Sequence, residues 1–132
     1  MSTVQAPHRK RVVLYANVAD ADQAPRILGM LREWATAQLW TVVRSIHDVG
    51  GDHVHRRARP GWCQVSEILR KDGTDDGADG VVAPSVVHIA ASLGEQTEFA
   101  AWAESVGVST EYLPDDGKAG ASTADDPQEG VR

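Results

Sequence analysis

The chain is poor in cysteine, in aromatic residues and in long apolar runs, and each shortage removes a class of protein. A single cysteine, Cys63, in 132 residues leaves no internal disulfide to form and fits a reducing cytoplasm. No apolar run approaches the ~18 residues that a membrane helix needs, so no span is expected. The amino end, MSTVQAPHRKRVVLYANV, sets basic residues before an apolar stretch, as a secretion signal does. That stretch is short and β-branched, with no small-residue cleavage site after it, and it reads as a strand. Aromatic residues make up 5% of the chain, yet four of the seven are tryptophan. Trp34, Trp40, Trp62 and Trp102 are expected mostly in a core, and one left exposed beside an apolar helix face would anchor an interface. No internal repeat is found.

What is present fits one globular domain. A chain of 132 residues, 42% hydrophobic and 24% charged, can bury roughly two-thirds of its unfolded surface around one core. Its net charge of −6 is unevenly spread. Residues 1–71 hold 11 Lys/Arg against 6 Asp/Glu, and residues 72–132 hold 2 against 13. A basic half can face phosphate and an acidic half resists it, although solvated faces of a small domain would give the same count.

Periodicity places the elements. RVVLYANV (11–18) is an apolar, β-branched strand. Asp22 then takes the N-cap place, with Pro25 tolerated in the first turn. Ile27, Leu28, Leu31, Trp34 and Ala35 form one helical stripe running to about Leu39. WTVVRSIHD (40–48) alternates like a second strand, followed by a loop over 49–61. Pro60 starts a helix that turns Trp62, Val65, Ile68 and Leu69 to one side. KDGTDDGADG (71–80) is a Gly-rich acidic turn, and VVAP (81–84) a short buried strand. Ser92 and Glu95 make a capping box for a helix that buries Phe99, Trp102, Ala103 and Val106 and stops at Gly107. VSTEYL (108–113) is the last strand. Strands alternating with helices require crossovers. The expected fold is therefore α/β and three-layered, with a mostly parallel four- or five-stranded sheet and helices on both faces. Residues 1–10 are expected to be a flexible N-terminus, 11–113 the folded domain, and 114–132 a disordered acidic tail.

The order of these elements and the words they carry resemble the catalytic domain of the serine recombinases, the resolvase/invertase family. That family opens with a strand reading Tyr-x-Arg-Val-Ser and a Gln four residues after the serine. Tyr15, Val18 and Gln23 stand at the matching places, with Asn17 at the arginine's and Ala19 at the serine's. A strand ending in Asp, a small Gly loop and a later Arg follow in the family, and here Asp48, Gly50, Gly51 and Arg59 match them. A third family word, Asp-Arg-Leu-x-Arg, falls on Val87, His88 and Ala91. The resemblance covers residues 11–113.

It implies a fold and also a loss. In the family the serine hydroxyl attacks a DNA phosphodiester while arginines neutralise the developing charge. The methyl group of Ala19 has no lone pair, so it cannot make that bond. Asn17, His88 and Ala91 lack the charged forks that suit phosphate oxygens. The catalytic set is therefore expected to be empty, with Tyr15, Val18, Gln23 and Asp48 kept as framework. Arg59, with Arg56 and Arg57 beside it, is the candidate phosphate or DNA contact, against a plain reading of HRRAR as a solvated, mobile turn. Family recombinases continue into a long dimer-forming helix and a DNA-binding module, and nothing after Tyr112 has that periodicity.

Two other chemistries come from the residues alone. Ser85, near the end of the third strand with His88 three residues on, is a substitute nucleophile without a nucleophile-elbow pattern. Cys63, following Trp62 on an amphipathic helix, is expected to be a small buried side chain. His47, Asp48, Asp52, His53 and His55 crowd nine positions, with His53 and His55 able to project together, but no recognised metal-ligand spacing orders them. Three readings follow: an inactive recombinase-like domain that binds itself or another protein; a residual DNA binder using Arg9, Lys10, Arg11, Arg56, Arg57 and Arg59; and a metal or enzymatic module on the His-rich loop. No cofactor and no membrane partner is expected.

Overall fold

A computed structural model describes residues 9–50, 54–71 and 77–114. Most of the expected flexible N-terminus and nearly all of the expected acidic tail lie outside these residues, as do Gly51, Asp52 and His53 and half of the acidic turn.

Strand β1 (Arg11–Val18) leads through a short 3-10 turn into helix α1 (Ala24–Ala37) and strand β2 (Thr41–Val49). Helix α2 (Pro60–Arg70), strand β3 (Gly80–Ala83), helix α3 (Leu93–Val106) and strand β4 (Ser109–Tyr112) follow. The four strands are all parallel, in the order β2-β1-β3-β4. The α/β architecture is as expected, with four strands rather than five. Helix α1 covers one face, and α2 and α3 cover the other.

The packing follows from the side-chain period of two in a strand. Val13 and Tyr15 on β1, with Ile46, Val81 and Ala83, meet Trp62, Val65, Leu69 and Phe99 on the α2/α3 face. Val12, Leu14 and Val82 meet Leu31 and Ala35 of α1 on the other. Because β1 is covered on both sides, every residue from Val12 to Val18 is buried, which explains its near-continuous apolar run.

Some local signals act where the sequence sets them, and others are displaced. Pro60 opens α2, and Gly107, at φ 74, closes α3 in the left-handed conformation. The first cap is Asp20, not Asp22. The Asp20 carboxylate accepts from Asp22 N, and Gln23 returns its side-chain oxygen to Asp20 N, so a capping box closes on a 3-10 turn ahead of α1. Helix α1 ends two residues earlier than expected, with Leu39 at φ 66. Trp40 N bonds Ala35 O and Leu39 N bonds Thr36 O, a Schellman closure without glycine. At α3, Ser92 accepts from Glu95 N as expected, but the Glu95 carboxylate goes instead to Ala91 N and Arg56 N.

Of the tryptophans, Trp62 is buried and the other three are half-buried. Cys63 is exposed, contrary to expectation. Its position one residue past Trp62 rotates it about 100° off the buried stripe, a signal present in the sequence.

Candidate functional site

In a parallel sheet the strands all deliver their C-terminal ends to one edge, where open α/β folds gather ligands. Here that edge collects Asn17 from β1 and Ala19 after it, Asp48 and Val49 from β2, the turn before α2, and the 3-10 turn Val86–His88 after β3.

Asp48 organises its interior. Its Oδ1 accepts from Gly61 N at 2.8 Å, and its Oδ2 accepts from Trp62 N at 3.0 Å and from the Tyr15 hydroxyl at 2.7 Å. A carboxylate from β2 thus caps the first turn of α2 and complements its dipole. A Cβ on Gly61 would sit 2.8 Å from both Asp48 Oδ2 and His47 O, so only glycine lets the helix approach this close. Burial pushes the Tyr15 phenol well above its usual range. Arg59 opposes that shift and Asp48 adds to it.

Arg59 is 1% exposed. Its Nε donates to Val54 O at 3.0 Å, and one terminal nitrogen donates to His88 O at 2.8 Å and to the Tyr15 hydroxyl at 3.4 Å. The other terminal nitrogen is buried with no hydrogen-bond partner. His88 Nδ1 accepts from Asn17 N at 3.1 Å, a peptide-to-imidazole bond between β1 and the turn after β3.

Arg56 is also buried, 3% exposed, so two residues of the HRRAR segment turn inward while His55, Arg57 and Ala58 stay exposed. The Arg56 guanidinium lies 5.3 Å from the Phe99 ring, with Glu98 at 3.6 Å and Glu95 at 3.7 Å. Burial pulls Arg56 below its usual range, and the two carboxylates oppose that. Arg57 stays exposed and reaches Glu98 at 3.3 Å. His55 accepts from Arg57 N through Nδ1 and meets Glu98 at 2.8 Å through Nε2. Glu98 is held below its usual carboxylate range, first by that His55 bond and then by Arg57 and Arg56. Nothing local in the sequence announced these burials, because both arginines depend on partners 29 to 44 residues away.

The remaining candidates scatter. Ala19 and Ala91 are exposed, and Ser85 is half-buried at the start of its turn without a side-chain capping bond. Val18 is buried against Ala24, and Gln23 serves the capping box. Asp52 and His53, the centre of the metal hypothesis, lie outside the described residues. Among the described residues no three His, Cys, Asp or Glu side chains come together as a metal site. The six cations grouped for DNA do not share a surface. Arg9, Lys10 and Arg11 lie at the start of β1 and the arginines 56, 57 and 59 beyond its far end, about 26 Å away for an eight-residue strand. Arg9 bonds Leu39 O and Lys10 pairs with Glu111.

Comparison with solved structures agrees with this architecture. The C-terminal catalytic domain of ISC1926 TnpA, an IS607-like serine recombinase, superposes with a TM-score of 0.65 at 20% identity, over 82% of this chain and 70% of that one. The fold is that of a serine recombinase catalytic domain. The N-terminal catalytic domain of TP901-1 integrase gives 0.67 at 17% identity, over 79% of this chain and 78% of that one. No family model and no curated protein matches the chain. The fold carries Ala19 as the first residue after β1. It was legible in the order of the sequence words where no single word would have sufficed.

Proposed function

We propose that this chain is a recombinase-fold domain without strand-cleaving chemistry, serving as a protein-interaction module, with residues 11–113 as its folded unit. One observation carries the reading: the strand-end edge offers apolar side chains outward and turns Arg56, Arg59 and Asp48 inward. Val49, the last residue of β2, is 49% exposed, Val54 after β2 is 40%, Val87 after β3 is 52%, and Leu93 at the start of α3 is 80%. Arg59 is committed to three internal acceptors, and the residue that follows β1 is an alanine. An edge of this kind favours burial against another apolar surface over neutralising a phosphate. No helix among the described residues is long and apolar enough to cross a membrane.

The test is affinity capture of the intact chain from lysate of its own cell, with and without nuclease, beside the variants Val87→Glu and Leu93→Glu. Both side chains are exposed, so the variants keep the fold. A specific protein, or a second copy of the chain, should be retained after nuclease and lost with either variant. Retention that vanishes with nuclease, or a covalent protein–DNA adduct on plasmid substrate, would overturn the reading.

A further inference from the structure

Two neighbours make opposite demands on the His55 ring. His55 is the N-cap of the 3-10 turn Arg56–Ala58, and its Nδ1 accepts from Arg57 N at 3.1 Å. On the other side its Nε2 meets Glu98 Oε1 of α3 at 2.8 Å. A peptide N–H needs a lone pair opposite it, and a carboxylate needs a proton. Both contacts together therefore admit one form of the imidazole, neutral with its proton on Nε2.

Among the described residues, the charged groups facing this ring and the turn it caps are Glu98 and Glu95 from α3, with Arg56 and Arg57 from the turn itself. Glu98 is held below its usual carboxylate range, so it is still ionised when the imidazole takes up a second proton. That proton can go only to Nδ1, where it confronts the Arg57 N–H, donor against donor. The Nε2 bond to Glu98 survives as an ion pair, so the ring stays with α3 while its own turn loses the cap. The other ties of this segment do not run through the imidazole: Arg56 N donates to the Glu95 carboxylate, Ala58 N to His55 O, and Arg59 Nε to Val54 O. Val54, one residue ahead of the ring, is 40% exposed on the strand-end edge.

We propose that His55 is a proton-operated cap. Neutral, it fixes the Arg56–Ala58 turn and with it the Val54 end of the edge; doubly protonated, it releases Arg57 N and lets that segment loosen. Histidine is the ordinary side chain that changes charge between about pH 5 and 8, so the device works in mild acid. Its use in controlling docking rests on the function proposed above, but the cap itself does not, and its test needs no partner.

The full chain, labelled with ¹⁵N and ¹³C, is titrated from pH 8 to pH 5.5 by NMR beside His55→Asn. Position 55 is exposed, so the variant keeps the fold, and an asparagine oxygen caps Arg57 N without titrating. At pH 8 the His55 ring should be the Nε2–H tautomer. The water-exchange rate of the Arg57 amide, divided by that in His55→Asn at the same pH, should rise about three- to tenfold by pH 5.5, with the midpoint of the ring's own titration. The methyl order parameter of Val54 should fall over the same range in the parent chain and hold steady in the variant. An Nδ1–H ring at pH 8, an exchange ratio that stays flat while His55 titrates, or a Val54 equally ordered at both pH values would overturn the proposal.

Discussion

Asp48 receives three donors from two different elements, and the chemistry requires a short carboxylate there. An amide could accept only through its oxygen and would turn an N–H₂ toward one of the same donors. Tyr15 completes the arrangement, because its hydroxyl gives its proton to Asp48 while accepting from Arg59. This gives a pH signature. The folded-state pKa of Tyr15 is raised above its ordinary value of 10.0, so its contribution is fully present below about that pH. As pH climbs further the unfolded chain loses its phenolic proton first, and stability falls. Burial shifts Tyr112 in the same direction. Tyr15→Phe should therefore flatten, without removing, the alkaline decline seen in urea unfolding above about pH 10, and should cost about 1 kcal/mol at neutral pH for the lost hydrogen bond. An undiminished slope in the variant would show that Tyr15 is not responsible. The sequence offered Tyr15, Asp48 and Arg59 as matching positions, and the structure joins them. Their mutual contact was not legible, since separations of 33 and 44 residues leave no periodic trace.

At the scale of elements, the seven strands and helices were readable because each carries its own pattern. The apolar β1 run, the Pro60 start and the Gly107 stop are local facts that tertiary packing did not override. The misreadings fall where a local motif has a competitor. Asp20 and Asp22 both suit a cap, and Gln23 chooses Asp20 because it lies three residues ahead and can be reached back to. The Glu95 carboxylate had a closer claim from Arg56 N than from its own helix start. The apolar Leu39 extends the helical pattern of α1 past its end at Ala37, although it stands where glycine usually stands. A leucine at φ 66 pays the crowding of its Cβ, and at 68% exposure it regains little by packing. Leu39→Gly should raise stability by about 1 kcal/mol, read as a higher melting temperature, because the Schellman bonds survive while the crowding is relieved. A lower melting temperature would mean that the leucine side chain contributes more than its exposure suggests.

Across the whole molecule, β1 belongs to both large apolar clusters, with Val13 and Tyr15 in one and Val12 and Leu14 in the other. The two helical layers should therefore unfold together. Tryptophan fluorescence, which reports Trp62 on one face and Trp34 and Trp40 on the other, should trace the same urea transition as far-UV circular dichroism. Separate midpoints would mean that one layer outlives the other. The same strand sets an order of assembly. Its β2 neighbour arrives soon after it, but its other flank waits for β3, with Val12 pairing to Gly80 and Arg11 N reaching the Asp79 carboxylate across 68 residues. A ribosome that has released β1, α1 and β2 has thus put out a half-sheet whose most buried strand still shows a bare row of peptide groups. During translation the interval between β2 and β3 is the period when this chain most needs a chaperone, and slowing synthesis there would prolong it.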